Sequence, residues 1–336
     1  MGASALPKDD QTTLTAVNQV FSTFSVCGSA FIITSYLLFP NLRKFSYKLV
    51  LWLTISDMFN QSMSFLGNPN QDQIPCHLQA AGMQFFSVAS FLWTGAIAYV
   101  LRSTVIDKRS DIESKYRRMH AIVWSSGAVA AIVPAWKYGP TGAWCWIYGD
   151  DLAGKIMRFL FYYAPLWVCI GYNSFAYISV IRFLRRVQLL ANSISSQEAQ
   201  PRIEMKAISR LGYYPSILIV THIWGTVNRI QNWAKPHDPV FWLFFLHTIA
   251  SSSMGLLNCA AYGLNGTVRA NWCEKFPFLT KLAFWGGRAR EAQKFHKFEN
   301  EMGQMGGIGS DFEDDQGSDK ASSKKSVEPA QSDSKL

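Results

Sequence analysis

Residues 11–42 read QTTLTAVNQVFSTFSVCGSAFIITSYLLFPNL, and these 32 consecutive residues contain no Asp, Glu, Lys or Arg. A helix that spans the hydrocarbon core of a bilayer needs about 20 apolar residues. The stretch is therefore long enough to cross a membrane, and it predicts a first transmembrane helix over Leu14–Phe39. Residues 1–13 lack the basic start and short apolar segment of a cleaved signal peptide, so we expect this helix to direct membrane insertion itself.

Six further runs of similar character follow, and together they predict a bundle of seven transmembrane helices over residues 14–264. Buried helices of a large soluble protein are the alternative, but the regular alternation of spanning-length runs with short charged loops argues against it. Only 16% of the residues are charged, against roughly 25% in soluble proteins. The six runs are Leu49–Leu66, Cys76–Leu101, Met119–Trp136, Phe159–Ile181, Leu211–Val227 and Val240–Leu264.

The distribution of Lys and Arg predicts which end of the bundle faces the cytoplasm. The loops after the odd-numbered spans hold 15 basic residues, whereas the amino terminus and the other three loops together hold 6. Loops rich in Lys and Arg stay on the cytoplasmic side. We therefore expect a multi-pass plasma-membrane protein with residues 1–13 outside the cell and its carboxyl terminus inside. This membrane topology also explains the net charge of +9, so we expect no nucleic-acid partner.

The chain changes character after the seventh span. Within residues 265–285, Val268, Trp272 and Phe276 recur on one helical face, which predicts a short helix on the membrane surface. Residues 286–336 are too polar to bury a core and are predicted to form a disordered cytoplasmic tail. We expect this tail to regulate signal shut-off; a passive solubilising tail is the alternative. Candidate modification sites are Cys273 for palmitoylation and, for phosphorylation, Ser310, Ser318, Ser322 and Ser323.

Two of the six cysteines face the predicted outer side. Cys76 opens the third span, and Cys145 lies in the loop after the fourth span. Disulfides persist in an oxidising environment, and no other cysteine is expected on that side. The sequence therefore predicts a Cys76–Cys145 disulfide that ties the outer loop across the top of the third helix.

Asp57 is the one acid in the middle of a predicted span. An ionised carboxylate at that depth costs about 2.5–3.5 kcal/mol on insertion scales, so Asp57 is expected to face the bundle interior. Counting along the helices places Ser90 and Asn258 at a similar depth. The sequence leaves two readings open: a structural hydrogen-bond cluster, and a switch or ion site whose protonation follows activation.

Basic residues also collect near the outer ends of the helices. Arg229 ends the sixth span, and Lys137, Lys155 and Arg158 share its side of the membrane. Long cationic side chains that reach the interface are one explanation. The other is a site for an anionic ligand, since Arg binds phosphate or carboxylate with two bonds. In that case, loss of Arg229 or Lys155 would weaken binding by about 1.5–3 kcal/mol.

The sequence carries no signature of an enzyme. It lacks HExxH, GxSxG and a phosphate-binding loop, so we expect no catalytic residues, no metal site and no cofactor. The seventh span contains no Lys, which excludes a retinal Schiff base of the usual opsin kind.

Taken together, these features resemble G-protein-coupled receptors. Asp57 fits the acid of the second helix, and Asn258 with Tyr262 fits the NPxxY box, although Cys259 stands where that box has Pro. Beyond these positions, the chain resembles the cyclic-AMP receptor-like family of slime moulds and especially its plant-type members. The segments that carry this resemblance are LRKFSYKLV (42–50), VASFLWT (88–94), WCW (144–146), FYYAPLW (161–167), LGYYPSILI (211–219), VNRI (227–230) and NCAAYGLN (258–265).

The resemblance implies a receptor that transmits an extracellular small-molecule signal to a heterotrimeric G protein. The sequence does not identify this ligand; slime-mould members sense extracellular cyclic AMP, and that analogy alone implies cyclic AMP for this chain. A small-solute transporter or channel is the alternative, but this chain lacks the internal repeats of many transporters. A seven-helix scaffold that signals without a G protein is a further alternative. The residues expected to face the G protein are Arg102, Arg117, Arg118, Arg185, Arg186, Lys206 and Arg210.

Overall fold

The computed structural model describes residues 6–69, 73–109, 111–149, 151–194, 213–235, 238–263 and 266–281. Helices dominate, and the long ones follow the runs predicted to span the membrane. Five are uninterrupted: α1 (Lys8–Leu38), α2 (Phe45–Ser62), α3 (Ile74–Val105), α4 (Tyr116–Ile132) and α6 (Tyr213–Ala234). Helix α1 begins six residues before the predicted span, directly after Pro7, because the carboxylates of Asp9 and Asp10 suit the first turn of a helix.

Two helices are interrupted. Helix α5 runs through Leu152–Arg158, then a π-helical turn at Phe159–Tyr163, then Ala164–Ile194. Helix α7 consists of Phe241–Ser252 and Met254–Asn258 followed by a π-helical turn at Cys259–Gly263, and it bends by 44° at its break. Such interruptions are frequent at functional sites.

Three helices of the described part are long and apolar enough to cross a membrane: α1, α3 and the segment Leu152–Val187 of α5. The bent α7 adds a fourth if its two parts form one span. Helices α2 and α4 have 18 and 17 residues, slightly short of the usual spanning length of about 20. The all-helical membrane bundle is thus confirmed, and the number of seven spans stays a prediction.

A two-stranded hairpin covers one end of the bundle, in a loop for which the sequence indicated no strands. Strand β1 (Tyr138–Pro140) pairs antiparallel with β2 (Cys145–Ile147), and Gly142 between them adopts a positive φ of 116°, which glycine tolerates readily. Cys145 forms the predicted disulfide with Cys76, 69 residues earlier. We call this end of the bundle the disulfide end.

The bend in α7 has a local cause in α1. The Ser25 hydroxyl donates to the Ser252 carbonyl and accepts from the Leu256 N–H. Those two backbone groups stand four residues apart, so the serine bridges a pair that would bond directly in a regular helix. A side chain inserted into the ladder in this way is a recognised cause of a helix kink.

Close packing of α1 on α7 makes that insertion possible. A Cβ atom added to Gly255 would lie 2.7 Å from the Ser25 carbonyl oxygen and 2.8 Å from the Ser29 hydroxyl. A Cβ atom added to Gly28 would lie 2.9 Å from that of Cys259. Glycines in these positions let two backbones approach, as in other membrane helix pairs.

The described residues fall into two compact units that divide between Asn265 and Gly266. The second unit contains α8 (Gly266–Lys275), in which Trp272 stacks on Phe276 at 5.4 Å between ring centroids. This helix lies within the range predicted for a surface helix. The predicted tail and its four serines lie outside the described residues.

Candidate functional site

A small cavity of about 70 Å³ opens inside the bundle beneath the hairpin. Aromatic side chains form its upper wall, and amides and hydroxyls form most of the remainder. Five helices of the bundle (α1, α2, α3, α6 and α7), the π-helical turn of α5 and strand β2 contribute to it. The lining residues are Asn18, Asn60, Gln61, Ser64, Met83, Ser87, Ser90, Trp144, Trp146, Tyr162, Tyr163, His222, Arg229, His247, Ser251, Ser252 and Met254.

Arg229 supplies the positive charge of this lining. Its guanidinium carbon lies 5.6 Å from the ring centroid of Trp146 and 5.7 Å from that of Phe244, distances at which a cation is attracted to an aromatic face. Its Nε and Nη2 atoms are buried and have no hydrogen-bond partner among the described residues. Buried guanidinium groups are normally bonded, so these two atoms are available to a ligand.

Two histidines stand near Arg229. The Nδ1 atom of His247 lies 3.3 Å from the Asn228 side-chain amide, and Nδ1 of His222 lies 3.0 Å from the Leu218 carbonyl oxygen. The first contact assigns the Nδ1 of His247 as an acceptor, and the second assigns the Nδ1 of His222 as a donor. Each ring therefore has its Nε2 atom left for other contacts.

The floor of the cavity is the broken part of α7. The Gln61 side-chain amide donates to the Ser251 carbonyl at 3.0 Å, and its oxygen accepts from Ser22 at 3.0 Å. The Ser252 hydroxyl donates to Asn18 at 2.5 Å. Side chains of α1 and α2 thus satisfy the backbone and hydroxyl groups that the break in α7 exposes.

One residue of the lining, Ser90, bonds to the buried acid Asp57. Ser90, which lines the cavity, donates to Asp57 Oδ1 at 2.5 Å, and Asn258 Nδ2 donates to Oδ2 at 2.6 Å. Asp57 is 1% exposed. Tyr262 is also buried and lies in the π-helical turn of α7. Ser90 and Asn258, predicted to share a depth with Asp57, therefore both bond to its carboxylate. Tyr262 is a buried neighbour along α7. The role of these residues as a switch stays a prediction.

The other basic residues predicted near this site lie outside the cavity lining. Lys137 Nζ pairs with Asp151 at 2.6 Å and lies 4.8 Å from the ring centroid of Trp136. Arg158 donates from Nε to the Ile147 carbonyl at 2.6 Å. Lys155 is half-buried in the first turns of α5. Of the four candidates for ligand binding, Arg229 alone belongs to the described lining.

At the opposite end of the bundle, Arg102 lies in the last turn of α3. Its guanidinium is 3.8 Å from the Asp107 carboxylate and 5.4 Å from the ring centroid of Phe175. The remaining basic residues predicted to face a G protein are exposed where the structure describes them. Arg117 and Arg118 lie at the start of α4, and Arg185 and Arg186 lie near the end of α5. Lys206 and Arg210 are outside the described residues.

Sequence reasoning missed most of the polar lining. It singled out charges, whereas the site is built largely from neutral amides, hydroxyls and imidazoles such as Asn18, Gln61, His222 and His247. The available signal was the occurrence of amides and histidines inside otherwise apolar runs, because such groups are buried only when they have partners. Which of them share a cavity depends on helix packing, and one sequence does not specify it.

Comparisons of the sequence with known proteins point to one family. The family model described as "Slime mold cyclic AMP receptor" matches residues 7–306. "G-protein coupled receptor 1" of Arabidopsis thaliana is 41% identical over 268 residues, which cover 79% of this chain and 82% of that protein. "Cyclic AMP receptor-like protein A" of Dictyostelium discoideum is 29% identical over 282 residues, 83% of this chain and 71% of that protein. Squid rhodopsin has a similar fold, with a TM-score of 0.63 and 14% sequence identity over 87% of this chain and 92% of its own.

Proposed function

Because this chain belongs to the slime mold cyclic AMP receptor family of G-protein-coupled receptors, we propose that it binds an anionic small molecule beneath the hairpin. Binding is then passed to a heterotrimeric G protein at the opposite end of the bundle. Membership of this receptor family makes the chain a multi-pass plasma-membrane receptor and disfavours the transporter reading. The ligand, its charge, its site, the orientation of the chain in the membrane and the contact with the G protein are proposals.

One observation carries the proposal: the buried guanidinium of Arg229 has two nitrogen atoms without a partner among the described residues. An unpaired buried charge is costly, and an anion that bonds to both free atoms removes that cost. Arg is well suited to this role, since its planar group matches phosphate and carboxylate with two parallel bonds. Cyclic AMP, named for the slime-mould relatives, carries such a group and is the first candidate.

The cavity also places a bound ligand close to the parts of the receptor that would have to move. A molecule held at Arg229 lies in the same cavity as Ser251 and Ser252 at the break in α7, and as Ser90 beside Asp57. A ligand that prefers one arrangement of α7 shifts the receptor toward that arrangement, whereas equal affinity for two states would shift nothing. Movement of α6 and α7 then alters the basic surface at the opposite end, which we propose as the contact for the G protein.

The proposal includes an orientation in which the disulfide end faces the outside. Two features support it: a disulfide requires an oxidising compartment, and the loops at the opposite end carry most of the basic residues. An extracellular ligand then meets the cavity from the side of the hairpin.

The test is ligand binding by the purified full-length receptor and by two variants. Cyclic AMP, other nucleotides and inorganic phosphate would be screened by the rise in melting temperature that ligand binding produces. Arg229→Met keeps an apolar side chain between Trp146 and Phe244 and removes the charge. It should weaken binding of an active anion by about 1.5–3 kcal/mol, or about 10- to 140-fold in Kd.

Lys235→Met is the matched control, because Lys235 is exposed and lies at the end of α6 beyond Arg229. It should leave Kd unchanged, apart from a small loss at low salt. Lys155→Met tests whether a basic residue outside the cavity also contributes to binding. Equal Kd values for the wild type and Arg229→Met would refute the anionic site. Nucleotide exchange on a G protein from the same organism, with and without the active anion, distinguishes a coupled receptor from a scaffold.

A further inference from the structure

A buried amide on α3 connects two walls of the cavity. Gln84 is fully buried, and both ends of its carboxamide are used. Oε1 accepts from Trp146 Nε1 at 2.7 Å, and Nε2 donates to the Phe161 carbonyl at 2.9 Å. Trp146 belongs to β2 and Phe161 to the π-helical turn of α5, so one side chain joins three parts of the bundle.

The indole that Gln84 holds is the surface on which Arg229 rests. The Arg229 and Arg158 guanidinium carbons lie 5.6 Å and 5.3 Å from the centroid of the Trp146 ring. Each of these two cations is attracted to the same aromatic ring. A rotation of that ring would therefore move the guanidinium of Arg229.

The second bond of Gln84 fixes the opposite wall. Phe161 precedes Tyr162 and Tyr163, which line the cavity. The rings of Trp146 and Tyr162 meet edge to face at 5.1 Å between centroids, and Tyr163 lies within electrostatic reach of Arg229. Both neighbours of Arg229 in this region, the indole and the phenol, are thus anchored through one amide.

We propose that Gln84, which does not line the cavity, is a positioning residue that fixes the guanidinium of Arg229 through Trp146 and the π-helical turn of α5. The inference rests on the proposed function, because it assigns Gln84 a part in preparing an anion site. Such preorganisation lowers the entropic cost of binding, since the cation is already in place when the ligand arrives.

The experiment measures the position of Arg229 without needing a known ligand. The full-length receptor is treated with phenylglyoxal, which reacts with guanidinium side chains, and the modification of each Arg is followed by peptide mass mapping. Gln84→Met replaces the amide with an apolar chain of similar length, and Trp146→Phe keeps a ring but removes the N–H. Both should speed modification of Arg229 several-fold, since each frees the aromatic wall that covers it. The double variant should be no faster than the faster single one, because both changes break the same Gln84–Trp146 bond.

Gln79→Met is the matched control. Gln79 is equally buried on α3, and it accepts from the Cys145 N–H at 2.7 Å and donates to the Met63 and Gly67 carbonyls. Its loss removes three hydrogen bonds, one more than the loss of Gln84, but the disulfide still holds Cys145. Arg229 should therefore react at the wild-type rate in this variant, and Arg43 at the opposite end should react equally in all samples.

Unchanged reactivity of Arg229 in Trp146→Phe and in folded Gln84→Met overturns the positioning role, as does an equal increase in Gln79→Met. Protection of wild-type Arg229 by cyclic AMP or inorganic phosphate tests the anion site separately. Protection without an effect of Gln84→Met would retain the anion site and reject the positioning role. Faster modification in Gln84→Met without protection by any anion would retain the positioning role and reject the anion site.

Discussion

At the scale of single residues, buried and exposed charges of this protein have different surroundings. Arg229 is buried against aromatic rings with two atoms unpaired, whereas Lys137 and Asp151 form an exposed pair at 2.6 Å. Exposed pairs contribute little to stability because water screens them. The buried charge of Arg229 is the one that we propose for ligand binding. The exposed pair of Lys137 and Asp151 has a local structural role.

That local role predicts a pH dependence. Hydrogen bonding from Lys137 and from the Gly154 N–H lowers the pKa of Asp151 below its usual value. A depressed pKa stabilises the folded state above the unfolded pKa of about 3.9, and this stabilisation is lost as the pH falls through the lower folded value. Hydrogen exchange at Gly154, corrected for the intrinsic rate, should therefore accelerate below about pH 4 and show no such step near neutral pH.

Asp151→Asn provides the comparison, since Asn still caps a helix but carries no charge. Its Gly154 amide should exchange with no acid transition. The same acid transition in Asp151→Asn and the wild type would show that another group controls the start of α5.

At the scale of elements, the interruptions of α5 and α7 determine the shape of the site. The bend of α7 exposes carbonyl groups that Ser25 and Gln61 satisfy from neighbouring helices. Ser25→Ala should remove the bridge between Ser252 and Leu256 and let their direct bond form. We expect α7 to straighten from its 44° bend, which spin labels at its two ends would report as a longer distance.

Ser29→Ala is the control for that prediction. Ser29 lies one turn further along the same face of α1, is 1% exposed, and its hydroxyl has no hydrogen-bond partner among the described residues. Its removal should leave the distance between the labels unchanged. If Ser25→Ala also leaves it unchanged, the bend has another origin, such as the close contact at Gly255.

At the scale of the whole molecule, the hairpin connects several parts of the chain at the disulfide end. Asn68 donates to the Gly142 carbonyl at 2.9 Å, and Thr15 donates to that of Ala143 at 3.2 Å. The disulfide closes the loop on α3. A loop of this length stabilises a fold by about 4 kcal/mol in the loop-closure model, an upper value because membrane-inserted helices already restrict the unfolded chain.

Replacing Cys76 and Cys145 together by Ser should therefore lower the melting temperature of the purified receptor. A double variant avoids a new free thiol, and Cys27→Ser, at an exposed position of α1, is the control for an unrelated cysteine. An unchanged melting temperature would mean that hydrogen bonds such as that of Gln79 suffice to hold the hairpin.

The sequence predicted the features that the bilayer and the oxidising compartment impose. It did not predict those that depend on contacts between helices. The helical bundle and the disulfide follow from where charges and cysteines occur along the chain, because the bilayer and the oxidising compartment impose strict rules. The partners of Asp57 also agreed with simple counting of helix depth. The hairpin, the bend at Ser253 and the anchoring by Gln84 did not emerge, since each arises from a contact between residues that are distant in sequence.

The attachment of the hairpin has a kinetic consequence. Trp144 and Trp146 belong to the cavity wall and also to a loop that the disulfide, Gln79 and Gln84 all fasten. We expect the release of a ligand beneath this fastened loop to depend on movement of the loop or of a helix, so that its residence time follows the frequency of that movement. We therefore expect the receptor to respond to a change in ligand concentration with a delay set by this loop, so that its signal has a characteristic duration as well as an amplitude.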